Sequence, residues 1–466
     1  MSDLRKQIFL ESGKTISRKA RSRIASACVS PDYSPSPSRG GSRANSRYAS
    51  EEEDVSDSED AGSLASSQLN SEEGEEKPGV DWDRALVNFV ENILNDKRSS
   101  PEIRTHRLKA FANCVKKHPT SAWAIENQLK LLIPKLLKSA RSATTSMEVI
   151  AALQALEVAV LSTESDVQYE TVYARIFPVL KGVCEDSDVE SVIVESIRAL
   201  AVAAVCGGGF ARPLMEFFLE IIESDGHVIN SGDNGPIVIA ALTCWGFVAS
   251  NVGDLEEQST QALEAFTEQL DSADVDVQIA AGEAIALLME AAREYEAETD
   301  EPWNIQYDQG DLVRRVRLLT KESAKTISKR NRRQLHASFN SVLTSIERGL
   351  GPGYSTAHRM ASNPHTGGTR TDFNDDVKEY GYREKVSFGN ITMVVDSWAL
   401  AAQIDKLKAV FGTNLPKQYM ENPVVQELLK DGRAEFASVH KNKRSKRKSQ
   451  SPPKARGGKG RDLFLD

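Results

Sequence analysis

The sequence has few cysteines, few aromatic residues and no long apolar run, and each shortage argues against a class of protein. Among its 466 residues are 5 Cys and 6% aromatic side chains. The cysteines are widely spaced and form no CxxC pair, which argues against a disulfide framework or a zinc site and indicates a reducing compartment. The most apolar stretch, Ile237–Ala249, is shorter than the roughly 20 residues of a transmembrane helix. With no apolar signal segment near Met1, we expect a cytoplasmic or nuclear protein, or one present in both, without a membrane partner.

Catalytic motifs are also missing. Gly13-Lys14-Thr15 resembles the end of a phosphate-binding loop. The first glycine of that motif would have to lie at position 8, but the residue there is Ile8. Gly40–Ala44 nearly matches a nucleophile elbow, yet it lies in a Ser/Arg-rich tract without a strand. The seven histidines include no HExxH motif and no pair at metal-ligand spacing. Acids such as Glu283 and Glu290 are interpreted as a solvated helix face. We therefore expect no enzyme, cofactor, metal or small-molecule substrate.

Charge is segregated along the chain. The totals are 58 Lys and Arg against 67 Asp and Glu, a formal net charge of −9. Residues 51–76 are acidic without a single base, whereas the end of the chain is rich in Lys and Arg. Such blocks remain solvated, so residues 1–79 and 433–466 are predicted to be disordered. Five serines of the N-terminal segment precede proline or lie three residues before an acid and are predicted phosphorylation sites: Ser30, Ser34, Ser36, Ser50 and Ser56.

Residues 80–348 have the sequence pattern of helical repeats. Apolar residues recur at helical spacing and are interrupted by turn signals every 15 to 25 residues, without the alternation typical of strands. Pairs of helices give units of about 40 residues, the length of HEAT or armadillo repeats. Ala- and Gly-rich segments such as Ala151–Leu161 and Ala280–Ala292 would let neighbouring helices approach closely. The sequence predicts an all-α, armadillo/HEAT-like solenoid; an irregular helical bundle is the alternative.

The predicted solenoid ends in one long basic helix, Asp311–Arg348. Six basic residues at spacings of 3, 4, 4, 4 and 3 would share one face: Arg314, Arg317, Lys321, Lys325, Lys329 and Arg332. At 1.5 Å per residue this stripe would be about 27 Å long, enough to follow several phosphates of a nucleic acid. The opposing interpretation is a solvated capping helix, but only Glu322 balances the bases between Leu312 and Arg333, so we expect an anionic partner.

A linker over residues 349–382 precedes a small C-terminal helical module at 383–432. Asp396 is expected to cap a helix that ends before Gly412, and Asn422-Pro423 to begin another. An apolar stripe is predicted at Leu400, Ile404, Leu407 and Phe411. Trp398 is interpreted as core rather than as an exposed anchor. Because about 50 residues bury little surface alone, the module is expected to dock on a partner or on the solenoid.

Three segments in order resemble the interferon-related developmental regulators. They are AAGEAIALLMEAAREYE (Ala280–Glu296), the basic segment Lys321–Glu347 and the C-terminal stretch Val386–Leu429. VVDSW at Val394–Trp398 and ENPVVQELL at Glu421–Leu429 are the most specific pieces. The resemblance implies an armadillo-like N-terminal domain, a short C-terminal domain and no catalysis. It also implies a regulator of gene expression, since members are described both as transcriptional co-regulators and as ribosome-associated repressors of translation.

The basic tail admits three interpretations: a nuclear import signal, an RNA-binding arm or a solubilising end. The residues that would make the contacts are Lys441, Lys443, Arg444, Lys446, Arg447 and Lys448. Flexible basic residues can follow RNA phosphates without reading sequence, so RNA is favoured and import is compatible with it. The leading hypothesis is a non-enzymatic adaptor that binds ribosomes or ribosomal RNA and modulates translation. The alternative is a nuclear transcriptional co-regulator that binds proteins through the concave solenoid face.

Overall fold

The computed structural model describes residues 81–96, 98–162, 169–305, 307–321, 328–353, 384–388 and 391–436. The five candidate phosphorylation sites, Lys325 and the basic tail lie outside these residues. The expected all-α solenoid is confirmed, and each predicted helix between residues 81 and 295 is present. Where the described chain is concerned, no helix is long and apolar enough to cross a membrane.

The solenoid consists of helix pairs. The first helices are α1 (Trp82–Leu94), α3 (Glu126–Ser142), α5 (Tyr169–Asp186), α7 (Ala211–Glu223), α9 (Glu256–Gln269) and α11 (Gln309–Leu319). The second helices are α2 (Pro101–Lys117), α4 (Ser146–Leu161), α6 (Glu190–Cys206), α8 (Gly235–Ala249), α10 (Val275–Thr299) and α12 (Lys329–Arg348). The short 3-10 helices Pro119–Ile125 and His227–Ile229 lie in the connections. Each second helix packs on the next second helix, which makes one continuous row.

The repeat length follows from where the second helices begin. The starts of α2, α4, α6, α8 and α10 are 45, 44, 45 and 40 residues apart. Side-chain bonds between neighbouring repeats recur at the same separation, because equivalent positions lie side by side. The Arg104 guanidinium binds the Glu148 carboxylate at 2.6 Å, and Asn234 Nδ2 donates to Glu190 Oε2 at 3.1 Å; both pairs are 44 residues apart. The unit length is therefore that of HEAT or armadillo repeats.

Local sequence sets where the second helices start. A polar side chain accepts a bond from a first-turn N–H at five of the six N-termini described, which satisfies an otherwise unpaired donor. These N-caps are Ser100, Thr145, Asn234, Asp274 and Ser328. Helix α6 is the exception, with Val189 at the N-cap position.

Small residues allow the second helices to pack closely, as the sequence predicted. On α10, Gly282 is buried and faces the ring of Phe339 on α12; a Cβ at residue 282 would lie 2.9 Å from Phe339 Cε1. This contact between Gly282 and Phe339 is called the seam below. The core around it is large and continuous, with Trp245 and Phe247 of α8 fully buried. Close helix approach therefore depends on the absence of side-chain atoms at Gly282.

The prediction of one long helix over Asp311–Arg348 is wrong. Helix α11 ends at Leu319, and α12 begins at Lys329 after Ser328, whose extended backbone and hydroxyl form a new N-cap on the N–H of Asn331. Serine competes with the helical backbone in this way. The break lets α11 pack against α12, which buries Leu312 and Val316 of α11 and Leu335 and Phe339 of α12.

The C-terminal module contains a sheet in addition to the expected helices. Strands β1 (Glu384–Phe388), β2 (Ile391–Val395) and β3 (Arg433–Phe436) form an antiparallel sheet in the order β1-β2-β3. Between β2 and β3 lie α13 (Trp398–Phe411), a 3-10 turn (Gly412–Asn414), α14 (Leu415–Glu421) and α15 (Pro423–Leu428). Strand β3 lies beyond residue 432, in the segment that the sequence assigned to the basic tail.

The caps of the module were predicted in part. Ser397, and not Asp396, is the N-cap of α13, because its hydroxyl accepts the N–H of Leu400 at 3.1 Å. The helix ends before Gly412 as expected, with φ of +56° at the glycine. Asn422 caps α15 and Pro423 occupies its first turn, also as expected. The predicted apolar stripe of α13 is buried throughout.

Candidate nucleic-acid interface and docked C-terminal module

The five described bases of the predicted stripe do not share one helix face. Arg314 and Arg317 lie on α11, where Arg314 pairs with Asp311 and Arg317 with Glu347 of α12. Lys321 follows α11 and is exposed. The stripe is therefore divided between two helices, and acids already pair with Arg314 and Arg317. Exposed pairs of this kind contribute little to stability, so they remain exchangeable for another anion.

The first turn of α12 carries the most concentrated positive charge among the described residues. Lys329, Arg330 and Arg333 are exposed, Arg332 is half-buried, and this turn contains no acid. No ion pair joins Lys329, Arg330 or Arg333 to a described acid. The helix macrodipole adds positive potential at the same point. The arrangement suits a ligand with several negative charges, such as a phosphate backbone.

The C-terminal module is docked on the row of second helices, one of the two outcomes expected for it. Helix α13 packs on α4, α8 and α10, and α14 packs on α2. Trp398 is buried at 5% exposure and its Nε1 donates to Ser345 Oγ of α12 at 2.9 Å. The interpretation of Trp398 as core is confirmed. The module thus covers part of the surface that the second helices form.

Glu290 of α10 holds the start of α13. Its two carboxylate oxygens accept the N–H groups of Trp398 and Ala399 at 2.9 and 3.0 Å. Burial raises the pKa of Glu290 to about 7, although both hydrogen bonds favour the charged form. The interpretation of Glu290 as part of a solvated face is therefore wrong: the side chain binds the N-terminus of a helix from the other end of the chain.

A buried ion pair lies under the middle of α13. Lys406 Nζ is 2.9 Å from Glu157 Oε1 of α4 and donates to the carbonyl of Arg198 on α6 at 2.9 Å. Both side chains of the pair are almost fully buried, at 6% and 5% exposure. Lys116, Glu195 and Arg198 complete the lining of a small space of about 20 Å³ beside the pair. Burial lowers the pKa of Lys116, and the nearby Glu157 and Glu195 oppose that shift.

Three side-chain amides of the module bind free carbonyls at the C-terminal ends of second helices. Gln403 Nε2 donates to Ser250 O after α8, at 3.3 Å. Gln418 Nε2 donates to Val115 O and Lys116 O in the last turn of α2, at 2.9 and 3.0 Å. Asn422 Nδ2 donates to Leu161 O, the last residue of α4, at 3.1 Å. These carbonyls have no partner within their own helices, so the module satisfies acceptors that the solenoid leaves open.

Sequence reasoning missed these docking residues, although two of them carried a signal. Glu157 is a lone acid within the apolar run of α4, and Lys406 lies on the otherwise apolar side of α13. A charged residue inside an apolar stripe is seldom buried unless it is paired. That rule would have marked both residues, but not their contact, because they are 249 positions apart.

A groove of about 430 Å³ lies where α13 meets α8, α10 and α12. Its lining, within the part of the chain that the structure describes, includes seven alanines among 23 residues and no histidine. Cys244 lines the groove, but burial raises the pKa of its thiol, which keeps the nucleophile protonated. Ser338 Oγ donates to Glu283 Oε1 at 3.1 Å. The described residues also contain no group of three His, Cys, Asp or Glu side chains that could hold a metal ion.

The chain is similar to one protein family and to several known proteins. The family model for interferon-related developmental regulators matches residues 46–347. The chain belongs to this family. An uncharacterised protein of Schizosaccharomyces pombe is 25% identical over 363 residues, covering 75% of this chain and 74% of its own length. Interferon-related developmental regulator 1 of Sus scrofa is 22% identical over 378 residues, covering 77% and 73% of the two chains. The human protein of the same name is 21% identical over the same length.

Within the interferon-related developmental regulator family, the match ends at residue 347, at the end of α12. It therefore includes every described solenoid helix, the start of α12 with its exposed bases, and the acids Glu157 and Glu290 that receive the C-terminal module. The module itself lies beyond the match. Membership supports a regulatory role, as the family's name states, rather than an enzymatic one.

Proposed function

We propose that this regulator binds ribosomes or ribosomal RNA and thereby modulates translation. The observation that carries the proposal is the exposed basic turn at the start of α12, formed by Lys329, Arg330 and Arg333. The basic tail, Lys441–Arg461, would supply a second, flexible contact. Phosphate contacts of this kind are independent of sequence, which suits a partner as large and as uniformly charged as a ribosome.

The position of these bases argues against a merely solvated end. Positive charge at a helix N-terminus is opposed by the macrodipole, and acids are the residues usually found there. Helix α12 has three exposed bases among its first five residues and no acid there. An anionic partner would remove this repulsion on binding. The macrodipole would then add to the attraction instead of opposing the local charge.

The alternative function is a nuclear transcriptional co-regulator that binds proteins through the solenoid. It needs an open surface on the solenoid. The docked module occupies part of the surface of the second helices through Glu157, Glu290 and the amides of Gln403, Gln418 and Asn422. A protein partner would therefore need the first helices or a released module. This requirement makes RNA binding the better-supported function, with the protein in the cytoplasm, the nucleus or both.

The test uses purified full-length protein and purified ribosomes at two salt concentrations. Reversing Lys329, Arg330 and Arg333 to Glu should weaken binding at low salt and flatten the dependence of log affinity on log salt. Deleting Lys441–Arg461 should do the same separately. Neither change touches an apolar seam, so circular dichroism should show an unchanged fold. Equal affinity of wild type and both variants at low salt would refute the proposal and leave the tail as an import signal or a solubilising end.

A further inference from the structure

The first helices of the solenoid differ sharply in charge. Helix α3 carries four bases, Lys130, Lys135, Lys138 and Arg141, against the single acid Glu126. Helix α7 carries three acids, Glu216, Glu220 and Glu223, against Arg212. Helix α9 carries four acids, Glu256, Glu257, Glu264 and Glu268, and no base. In the row of first helices, α3 is therefore basic, whereas α7 and α9 are acidic.

The bases of α3 form one exposed face. Lys130, Lys138 and Arg141 are exposed, and so are Leu131 and Pro134 between them; Leu131 is 66% exposed. At 3.6 residues per turn these five positions fall within an arc of about 100°, and at 1.5 Å per residue they extend over about 16 Å. A surface of this length can face several phosphates of one strand.

These bases also lack acid partners. Lys130, Lys138 and Arg141 form no ion pair with any described acid, in contrast to Arg314 and Arg317 on α11. Lys135, on the adjoining side of the helix, donates instead to the backbone carbonyl of Asp96 at 3.0 Å. The neighbouring helix α5 adds Arg175, which is likewise exposed and unpaired among the described residues.

Two structural explanations account for only part of this face. A solvated helix face usually intersperses acids at i±4, but the i±4 neighbours of Lys138 are Pro134 and Ser142. The negative end of the macrodipole favours bases in the last turn, which explains Arg141. Lys130 has Glu126 four residues before it, a spacing that supports a helix. Neither explanation accounts for Lys138 or for the exposed Leu131.

From this geometry we infer that the exposed face of α3 is a second surface for RNA, where Lys130, Lys138 and Arg141 bind backbone phosphates. Leu131 and Pro134 would rest on ribose or base surfaces between them. The inference builds on the proposed function and adds a contact at the opposite end of the solenoid from α12. The acidic helices α7 and α9 lie between, so RNA would engage the two ends and be repelled from the middle.

The experiment compares full-length variants for binding to purified ribosomes and to a short single-stranded RNA over a range of salt. Reversing Lys130, Lys138 and Arg141 to Glu removes three phosphate contacts. The slope of log affinity against log salt should then flatten by about 2 to 3, with weaker binding to both probes. A matched control makes the same charge change on the C-terminal module, by reversing Lys408, Lys417 and Lys430 to Glu. The control should bind with the slope of the wild type.

The outcomes separate this inference from the function on which it rests. Weaker binding and a flatter slope for the α3 variant alone, with normal behaviour of the control, supports the second surface. Wild-type affinity of the α3 variant beside a weakened α12 variant would overturn the α3 surface and leave the proposed function intact. Loss of ribosome binding with unchanged RNA binding would assign α3 to an acidic protein instead, and so would overturn it too. A wild type that binds neither probe would overturn both.

Discussion

Replacing Lys406 by methionine should loosen the C-terminal module from the solenoid. Methionine has a similar length but no charge, so the substitution removes the partner of Glu157 without opening a large cavity. It also removes the bond to the carbonyl of Arg198, which is 2.9 Å from Lys406 Nζ. The change lies at the centre of the docked surface, where both members of the ion pair are about 95% buried.

The expected loss of stability depends on the charge of Glu157, which stays buried after Lys406 is replaced. Removing one partner of a buried ion pair typically costs about 3–5 kcal/mol, because the other charge is left without compensation. Here Lys116 and Arg198 line the same space and can partly compensate Glu157, so we expect the lower end, about 3 kcal/mol. The matched control is Lys408→Met on the same helix. Its pair with Asp405 is exposed, and the expected cost is below about 0.5 kcal/mol.

Thermal melting and hydrogen exchange together provide the assay. A loss of about 3 kcal/mol should lower Tm by roughly 5–10 °C in a solenoid of this size. Amides of α13 should exchange faster, since the helix depends on its docking. The double variant Lys406→Met with Glu157→Met should recover most of the loss, because no buried charge of the pair remains. An unchanged Tm and unchanged exchange for Lys406→Met alone would refute the reasoning that this pair holds the module in place.

Three further predictions concern the seam, Glu290 and the N-terminal segment. Gly282→Leu should overpack the contact with Phe339 and cost about 1–3 kcal/mol; an unchanged melting temperature would count against a close-packed seam. Because burial raises the pKa of Glu290 from 4.5 to about 7, its protonated form stabilises the fold fully below pH 4.5, and this stability is lost as the pH rises through 7. Glu290→Gln should therefore show a smaller decline in urea stability between pH 5.5 and 8 than wild type, and parallel declines would contradict this assignment. Mass spectrometry of protein from growing cells should find phosphate on the N-terminal serines Ser30, Ser34, Ser36, Ser50 and Ser56. Unmodified peptides would contradict this prediction.

The solenoid could be predicted because its information is local. Apolar residues at helical spacing, together with caps such as Ser100 and Thr145, specify each helix within its own segment. The repeat length follows from counting those segments, and the close seam from residues such as Gly282. The predicted succession of helices and turns between residues 81 and 295 therefore agrees with the structure, except that a 3-10 helix precedes α3.

The incorrect predictions concern features that tertiary contacts determine. The segment Asp311–Arg348 has helical periodicity throughout, and the burial gained by packing α12 against α11, together with the Ser328 N-cap, favours two helices over one. Strands β1 and β2 are short, and the sequence analysis predicts a helical module here instead of a sheet. The Gly389-Asn390 pair between the strands is typical of a hairpin and is the sequence signal for it. Docking through Glu157 and Lys406 joins positions that no local pattern relates.

Sedimentation of a cell lysate on a sucrose gradient tests whether the chain works on ribosomes. If basic surfaces on α12 and the tail bind ribosomal RNA, the full-length protein should co-migrate with ribosomes at low salt. It should move to the top of the gradient when the ribosomes are washed at high salt, because the contacts are mainly to phosphates. Protein that remains at the top of the gradient at low salt, away from every ribosomal fraction, would contradict the proposed function.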